Sequence, residues 1–294
     1  MIVARAIEPI RILRAVGLAL LLLLSYDVAI TILYVVLHQT WIGVENLPLA
    51  LLGSALVIIV GLRNNSAYAR WWEARTLWGQ CVNNSRSLAR GALMLLPRNH
   101  AEEVIRLQIA WGHALRLALW RQDPWPEMSA LLAPETTVRL RHAANLPTAL
   151  QVEIARALAR STGDGPADAM RLAALDATLT ALANAQGGLE RIKNTPLPRQ
   201  FEQFPRVFVV MYCLLLPIGL VHDLGIITPI GSTVIGSAFY LLDQIGRDLE
   251  DPFAGSPHDV AMTAITRTIE VDLKQMLGER DAPKALEPVD GVLL

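Results

Sequence analysis

The sequence predicts an all-α membrane protein in which four transmembrane helices, grouped two and two, flank a large cytoplasmic helical domain. Three observations carry that fold class. The runs Ala15–Leu37, Leu47–Leu62, Val207–Val221 and Gly225–Leu242 are apolar and contain no Lys or Arg. All 26 Lys and Arg fall within residues 1–14, 63–206 and 247–284, so the loops His38–Asn46 and His222–Thr228 carry no positive charge. The positive-inside rule then places both termini and the long middle region in the cytoplasm. Finally, no stretch alternates strongly enough to argue for a sheet, whereas Ala101–Arg121, Pro147–Ser161 and Pro166–Gln186 repeat apolar residues at helical spacing.

Taken in order, residues 1–14 are short and carry Arg5, Arg11 and Arg14. The run that follows resembles a signal peptide in having basic residues before an apolar core. It lacks a small-residue cleavage site, and its apolar character resumes after Asp27, so a retained span is expected. Asp27 is the unusual residue there, because an intramembrane acid faces protein or water and has a partner. His38–Asn46 is a connector with Trp41 placed as an interfacial anchor. The second span, Leu47–Leu62, meets Arg63, Asn64 and Asn65 at once, and neither Gly nor Pro interrupts the chain between Arg63 and Leu77. One long helix that leaves the bilayer and continues into water is the economical reading. Ser54, Ile58 and Leu62 share one face of it. Such a face suits a pore lining, and it suits an ordinary core-facing helix equally.

The middle region, 63–206, is broken at Pro97, at Asp123-Pro-Trp-Pro, at Pro134 and at Gly163-Asp-Gly-Pro. His222, Asp223 and Pro229 mark the turn between the third and fourth spans. Ser232 and Gly236 form a small-x-x-x-small pair suited to close helix packing. Asp243, Arg247, Asp248, Glu250 and Asp251 end the fourth span. His258–Leu277 reads as a surface amphipathic helix, and the tail from Asp281 is loose. The domain organisation is thus 1–62 for the N-terminal segment and first two spans, 63–206 for the cytoplasmic domain, 207–246 for the last two spans, and 247–294 for a cytoplasmic C-terminal segment.

Composition excludes several functions. A net charge of −1 gives no basic excess for nucleic acid. An apolar fraction of 53% and a mean hydropathy of +0.37 exceed soluble norms. Cys81 and Cys213 stand far apart, and the six histidines form no ligand pair, so neither a disulfide framework nor a zinc site is indicated. No nucleophile elbow, phosphate loop or dinucleotide fingerprint appears, and no nucleophile, base and orienting group occur together. An enzyme is not expected.

Three motifs in order, RNNSAYARWWEARTLWG at Arg63–Gly79, GGLERIKNTPLPRQF at Gly187–Phe201 and DQIGRDLEDPF at Asp243–Phe253, resemble the bestrophins, especially their bacterial branch. The resemblance runs from about the first span to the C-terminal amphipathic helix. It implies a homopentamer, each chain meeting four further copies of itself and membrane lipids, around one pore with an apolar neck and a wide cytoplasmic vestibule. Alignment on the Arg-Trp-Trp motif puts the neck at Ser54, Ile58 and Leu62, with Ser54 smaller than the family's usual residue. A second constriction, at the cytoplasmic exit, falls on Leu172, with Leu175 next. In animal members an acidic run after Asn-Pro-Phe-Gly clasps calcium. Here only Asp259 remains in that region, so no calcium cofactor is expected.

The motif residues also have structural readings. Arg70, Trp71 and Trp72 suit burial and stacking at a membrane boundary. Gly187 and Gly188 permit close helix packing, and Pro196 and Pro198 fix the chain before the third span. Asp248, Glu250 and Asp251, just ahead of Pro252 and Phe253, are expected to pair with basic residues of the long helix or of an adjacent subunit. The function implied is a passive channel of the bacterial inner membrane, conducting small monovalent ions through a neck that closes by dewetting. An apolar neck does not choose the ion's sign. Since bacterial members resemble cation channels, a cation pore is the expectation, with a chloride channel of the same fold as the alternative. A secondary transporter and a membrane scaffold stay open as other classes.

Overall fold

The structure, a computed structural model, describes residues 1–2, 9–161, 163 and 165–293, with the backbone alone for 9–15. Arg5, the side chains of Arg11 and Arg14, and Asp164 of the Gly163 break therefore lie outside the described residues. The described residues form helices and no strand, with only isolated bridges near the termini. They divide into two compact units. One contains Pro9 to Arg70 with Pro196–Asp251, and the other contains Trp71–Thr195 with Pro252–Leu294.

In the first unit, α1 (Pro9–Thr31) runs into a π-helical turn, Ile32–Val36, and a short 3-10 turn, Thr40–Ile42, leads to α2 (Leu49–Leu95). α2 is a single helix of 47 residues, longer than the sequence suggested, and only its part up to Arg70 belongs to this unit. α8 (Arg199–Leu224) starts straight after Pro198 and keeps Pro205 and Pro217 inside its span. A 3-10 turn, Gly225–Ile227, returns the chain into α9 (Thr228–Glu250). Three stretches are long and apolar enough to cross a membrane: Val16–Val36, Leu49–Leu95 and Arg199–Glu250. The last holds both helices where the sequence predicts two spans.

These helices pack through missing side chains as much as through large ones. A Cβ on Gly53 would stand 2.7 Å from the Tyr212 hydroxyl, and one on Gly236 would stand 2.7 Å from Leu23 Cδ2. α2 and α8 thus meet at Leu56, Val60, Val209, Tyr212 and Leu216, all buried. Close approach of this kind lets dispersion contacts hold apolar helices together where lipid removes the hydrophobic drive.

The second unit is built on α3 (Arg98–Trp120), which is buried on nearly every side. Around it stand the later part of α2, α4 (Trp125–Leu131), α5 (Pro134–Leu140), α6 (Leu146–Arg160), α7 (Pro166–Asn194) and α10 (Met262–Leu277). Pro134, Pro147 and Pro166 occupy first turns, where a missing N–H costs nothing. Asn145 Oδ1 caps α6 by accepting the Thr148 N–H at 3.0 Å. Trp78, Trp111, Leu115, Leu150, Ile154 and Leu182 fill the core. Trp111 Nε1 donates to Gln186 Oε1 at 2.9 Å, so its one polar atom is satisfied.

α10 is a packed element rather than a surface one. Ile269, Leu273 and Leu277 lie buried against Ala89, Ile105 and Ile109. It begins at Met262, not His258, because Asp259 holds the preceding loop: its carboxylate accepts the Gly255 N–H at 2.6 Å and the Ser256 hydroxyl. α10 also carries Glu270, 6% exposed and bonded by Lys274 Nζ at 2.7 Å. His113 of α3 bridges from it to α4, with Nε2 3.4 Å from Glu270 and Nδ1 3.3 Å from Glu127.

Candidate functional site

The apolar part of α2 has two unlike faces. Gly53, Leu56, Val60, Arg63 and Ala67 are buried against its own unit. Ser54, Ile58 and Leu62 are exposed, Ile58 by 63% and Leu62 by 60%, and a Cβ on Gly61 would touch nothing. The three residues named from the sequence therefore lie together on a face that none of the described residues covers. Leu51 and Val57 flank it, 70% and 51% exposed, and no charge occurs between Glu45 and Arg63. A strip of uncharged residues a few turns long, ending at the first basic residue, can exclude water when several copies face one another.

At the polar end of this strip lies a buried ion pair that sequence reasoning missed. Arg63, 1% exposed, donates from Nη1 to Asp243 Oδ1 and from Nη2 to the Asp243 carbonyl, both at 2.5 Å. Arg247 Nε stands 3.3 Å from the second carboxylate oxygen, and Asn64 Nδ2 donates to the Leu242 carbonyl at 2.8 Å. The signal available was only a lone Arg and a lone Asp at the edges of two uncharged runs.

Asp27 is wholly buried, and its partner is on α9: Oδ2 accepts the Thr233 hydroxyl at 2.7 Å. Ser232 bonds the Thr228 carbonyl of its own helix, and Cys213 reaches the Gly236 carbonyl at 3.7 Å.

The exit constriction needs correction. Leu175 is 2% exposed and packs in the core of its unit, where a Cβ on Gly91 would come 2.9 Å from its Cδ2. It lines no opening. Leu172 is half-buried against the same core, while Met170 and the small residues Ala173, Ala177 and Thr180 face outward. α7 thus has two faces at helical spacing, and Leu175 lies on the buried one.

The motif residues divide. Trp71 is half-buried and donates from Nε1 to the His258 carbonyl at 3.0 Å, whereas Trp72 is 56% exposed. Gly188 admits Leu77, whose Cδ1 would lie 2.7 Å from an added Cβ; Gly187 has open space. Arg70 and Glu250 are half-buried, and Asp248 accepts Gln244 Nε2 at 2.6 Å. Asp251 caps α9, and Pro196 is exposed in the chain ahead of α8. The Pro252 carbonyl accepts the Val260 N–H at 3.2 Å, and the buried Phe253 offers its carbonyl to Lys193 Nζ at 3.2 Å. Among the described residues no group of three or more His, Cys, Asp or Glu is placed to hold a metal ion. Both carboxylate oxygens of Asp259 are already used within its loop.

Comparison with known proteins fits this arrangement. Residues 6–275 match the family described as Bacterial/Fungal Bestrophin protein. A protein of Ralstonia nicotianae, named a voltage-dependent anion channel-forming protein, is 34% identical over 258 residues, 85% of this chain and 84% of its own. The Escherichia coli K12 protein YneE, which bears the same descriptive name, is 33% identical over 91% of this chain and 89% of its own. A crystal structure of a bacterial bestrophin homolog from Klebsiella pneumoniae superposes with a TM-score of 0.84 at 29% identity, covering 90% of this chain and 99% of that one. With the three motifs and the two-faced α2 in place, the chain belongs to the bacterial and fungal bestrophins, a family of membrane ion channels and not of enzymes.

Proposed function

We propose that the chain forms a passive channel for small monovalent anions in the bacterial inner membrane. Five copies form the ring, each with four spans and with both termini, residues 63–206 and the C-terminal segment in the cytoplasm. The observation that supports a pore is the Ser54–Ile58–Leu62 face, uncharged and left uncovered by the described residues. Identical faces from four neighbours would enclose a neck that passes ions only when wetted. Leu172 is the remaining candidate for the cytoplasmic constriction, and conduction needs no bound calcium.

The sign of the ion follows the names of the curated relatives, and it replaces the cation preference expected from the sequence. The uncharged neck gives that preference no support. Glu45 and Asp223, both exposed, lie in loops without Lys or Arg and would work against anion approach from that side. Purified protein in planar bilayers under a steep KCl gradient tests the reading. Discrete current steps reversing toward the chloride equilibrium potential are expected. Reversal toward the potassium potential would overturn the anion assignment, and folded protein without current steps would overturn the channel.

A further inference from the structure

Immediately after Leu62, two successive side chains of α2 bond to two successive main-chain carbonyls of α9. Arg63 Nη2 reaches the Asp243 carbonyl at 2.5 Å and Asn64 Nδ2 reaches the Leu242 carbonyl at 2.8 Å. Carbonyls inside a helix are normally screened by side chains one turn further on. Here the residue one turn beyond Leu242 is Gly246. A Cβ on it would lie 2.0 Å from Asn64 Oδ1, 2.6 Å from Arg63 Nη2 and 2.8 Å from Arg63 Nε. A side chain there would have to displace the ends of both the Asn64 and the Arg63 side chains. The carboxylate of the same Asp243 neutralises the buried guanidinium at 2.5 Å.

A buried ion pair is poor evidence of stability, because desolvation offsets much of its attraction. Its best-attested use is to fix register. Contacts to two named carbonyls are specific to register in a way that apolar packing is not, since a slide of one residue along α9 breaks both. We propose that Arg63 and Asn64, reading α9 through the gap at Gly246, are positioning residues that set where Leu62 stands, and with it the width of the neck. This rests on the neck reading given above. It adds that the neck's geometry is fixed by the clasp below it and not by packing of the apolar strip alone.

The test is single-channel current amplitude of the full-length protein in bilayers, for Gly246→Ala, Asn64→Ala and Leu62→Ala, and for each clasp variant combined with Leu62→Ala. Amplitude is independent of yield, so a purely structural role would not move it. Gly246→Ala is expected to change amplitude by about twofold or more, with a smaller change for Asn64→Ala, and both changes should shrink sharply when Leu62 is already Ala. Should Gly246→Ala fail to fold, Asn64→Ala carries the comparison, because it removes a contact without inserting an atom. Folded clasp variants with unchanged amplitude, beside a Leu62→Ala that does alter it, would overturn the register role alone. A Leu62→Ala without effect would instead overturn the neck reading. Equal changes with Leu62 present or replaced would show that the clasp acts elsewhere, and would also overturn the proposal.

Discussion

Leu62→Ala and Ile58→Ala are expected to raise channel conductance or open probability by about a factor of two or more, because each widens and wets the neck in every copy at once. Both residues are largely exposed within the chain and fill no internal cavity. Their loss should therefore cost little stability, within about 0.5 kcal/mol, as for other surface positions. The informative control is Leu56, 3% exposed on the opposite face. Leu56→Ala leaves a hole between α2 and α8 and should cost about 2–5 kcal/mol, lowering the melting temperature without enlarging the pore. Ile59, the control that spacing alone suggests, is only half-buried beside Phe208 and Met211 and is less decisive. Bilayer currents and thermal melts of the variants, taken side by side, check the contrast.

The shared, exposed face of Ser54, Ile58 and Leu62 was legible because its signal is local. Three residues four apart and a charge boundary at Arg63 are all within one helix, and the 3.6-residue period converts them directly into a face. Partners distant in the chain were not legible. Thr233 lies on another helix from Asp27, and Asp243 is far from Arg63 in sequence. No periodicity connects residues across helices, so the acids were seen and their partners were not. The same limit placed Leu175 on an open face of α7, when Gly91 of α2 provides the space that buries it. The sequence of α10 reads as a surface helix because the amphipathic spacing of its apolar residues does not say what that face meets. Glu270, however, is buried with His113 and Lys274 around it, and the helix packs on both Ile105 and Ile109.

That buried carboxylate has a consequence in acid. His113 facing it, followed by Lys274, holds the Glu270 carboxyl down to about 2, against the burial that pushes the other way. A pKa depressed on folding contributes stability that is fully present above the unfolded value near 4.5, and that is lost as pH falls from about 5 toward 2. The shift corresponds to about 3 kcal/mol at neutral pH. Glu270→Gln should therefore lower stability at pH 7 and flatten its fall in acid, with α10 loosening first. Thermal melts of wild type and variant between pH 7 and pH 3 check this. Equal acid sensitivity of the two proteins would mean that other carboxylates dominate.

The most direct measurement of the central claim, that the Ser54–Ile58–Leu62 face lines the ion path, is chemical access from water. The chain is suited to it, since both native cysteines are buried and burial pushes the Cys81 thiol up to about 12. Ser54→Cys, Ile58→Cys, Leu62→Cys and, as the off-axis control, Val57→Cys are each exposed to a small charged thiol reagent while current is recorded. The pore account predicts rapid, irreversible change of current at Leu62 and Ser54, the two ends of the neck, slower change at Ile58 and none at Val57. Modification of Val57→Cys with no effect at the other three would contradict it and move the ion path to another face of the helix.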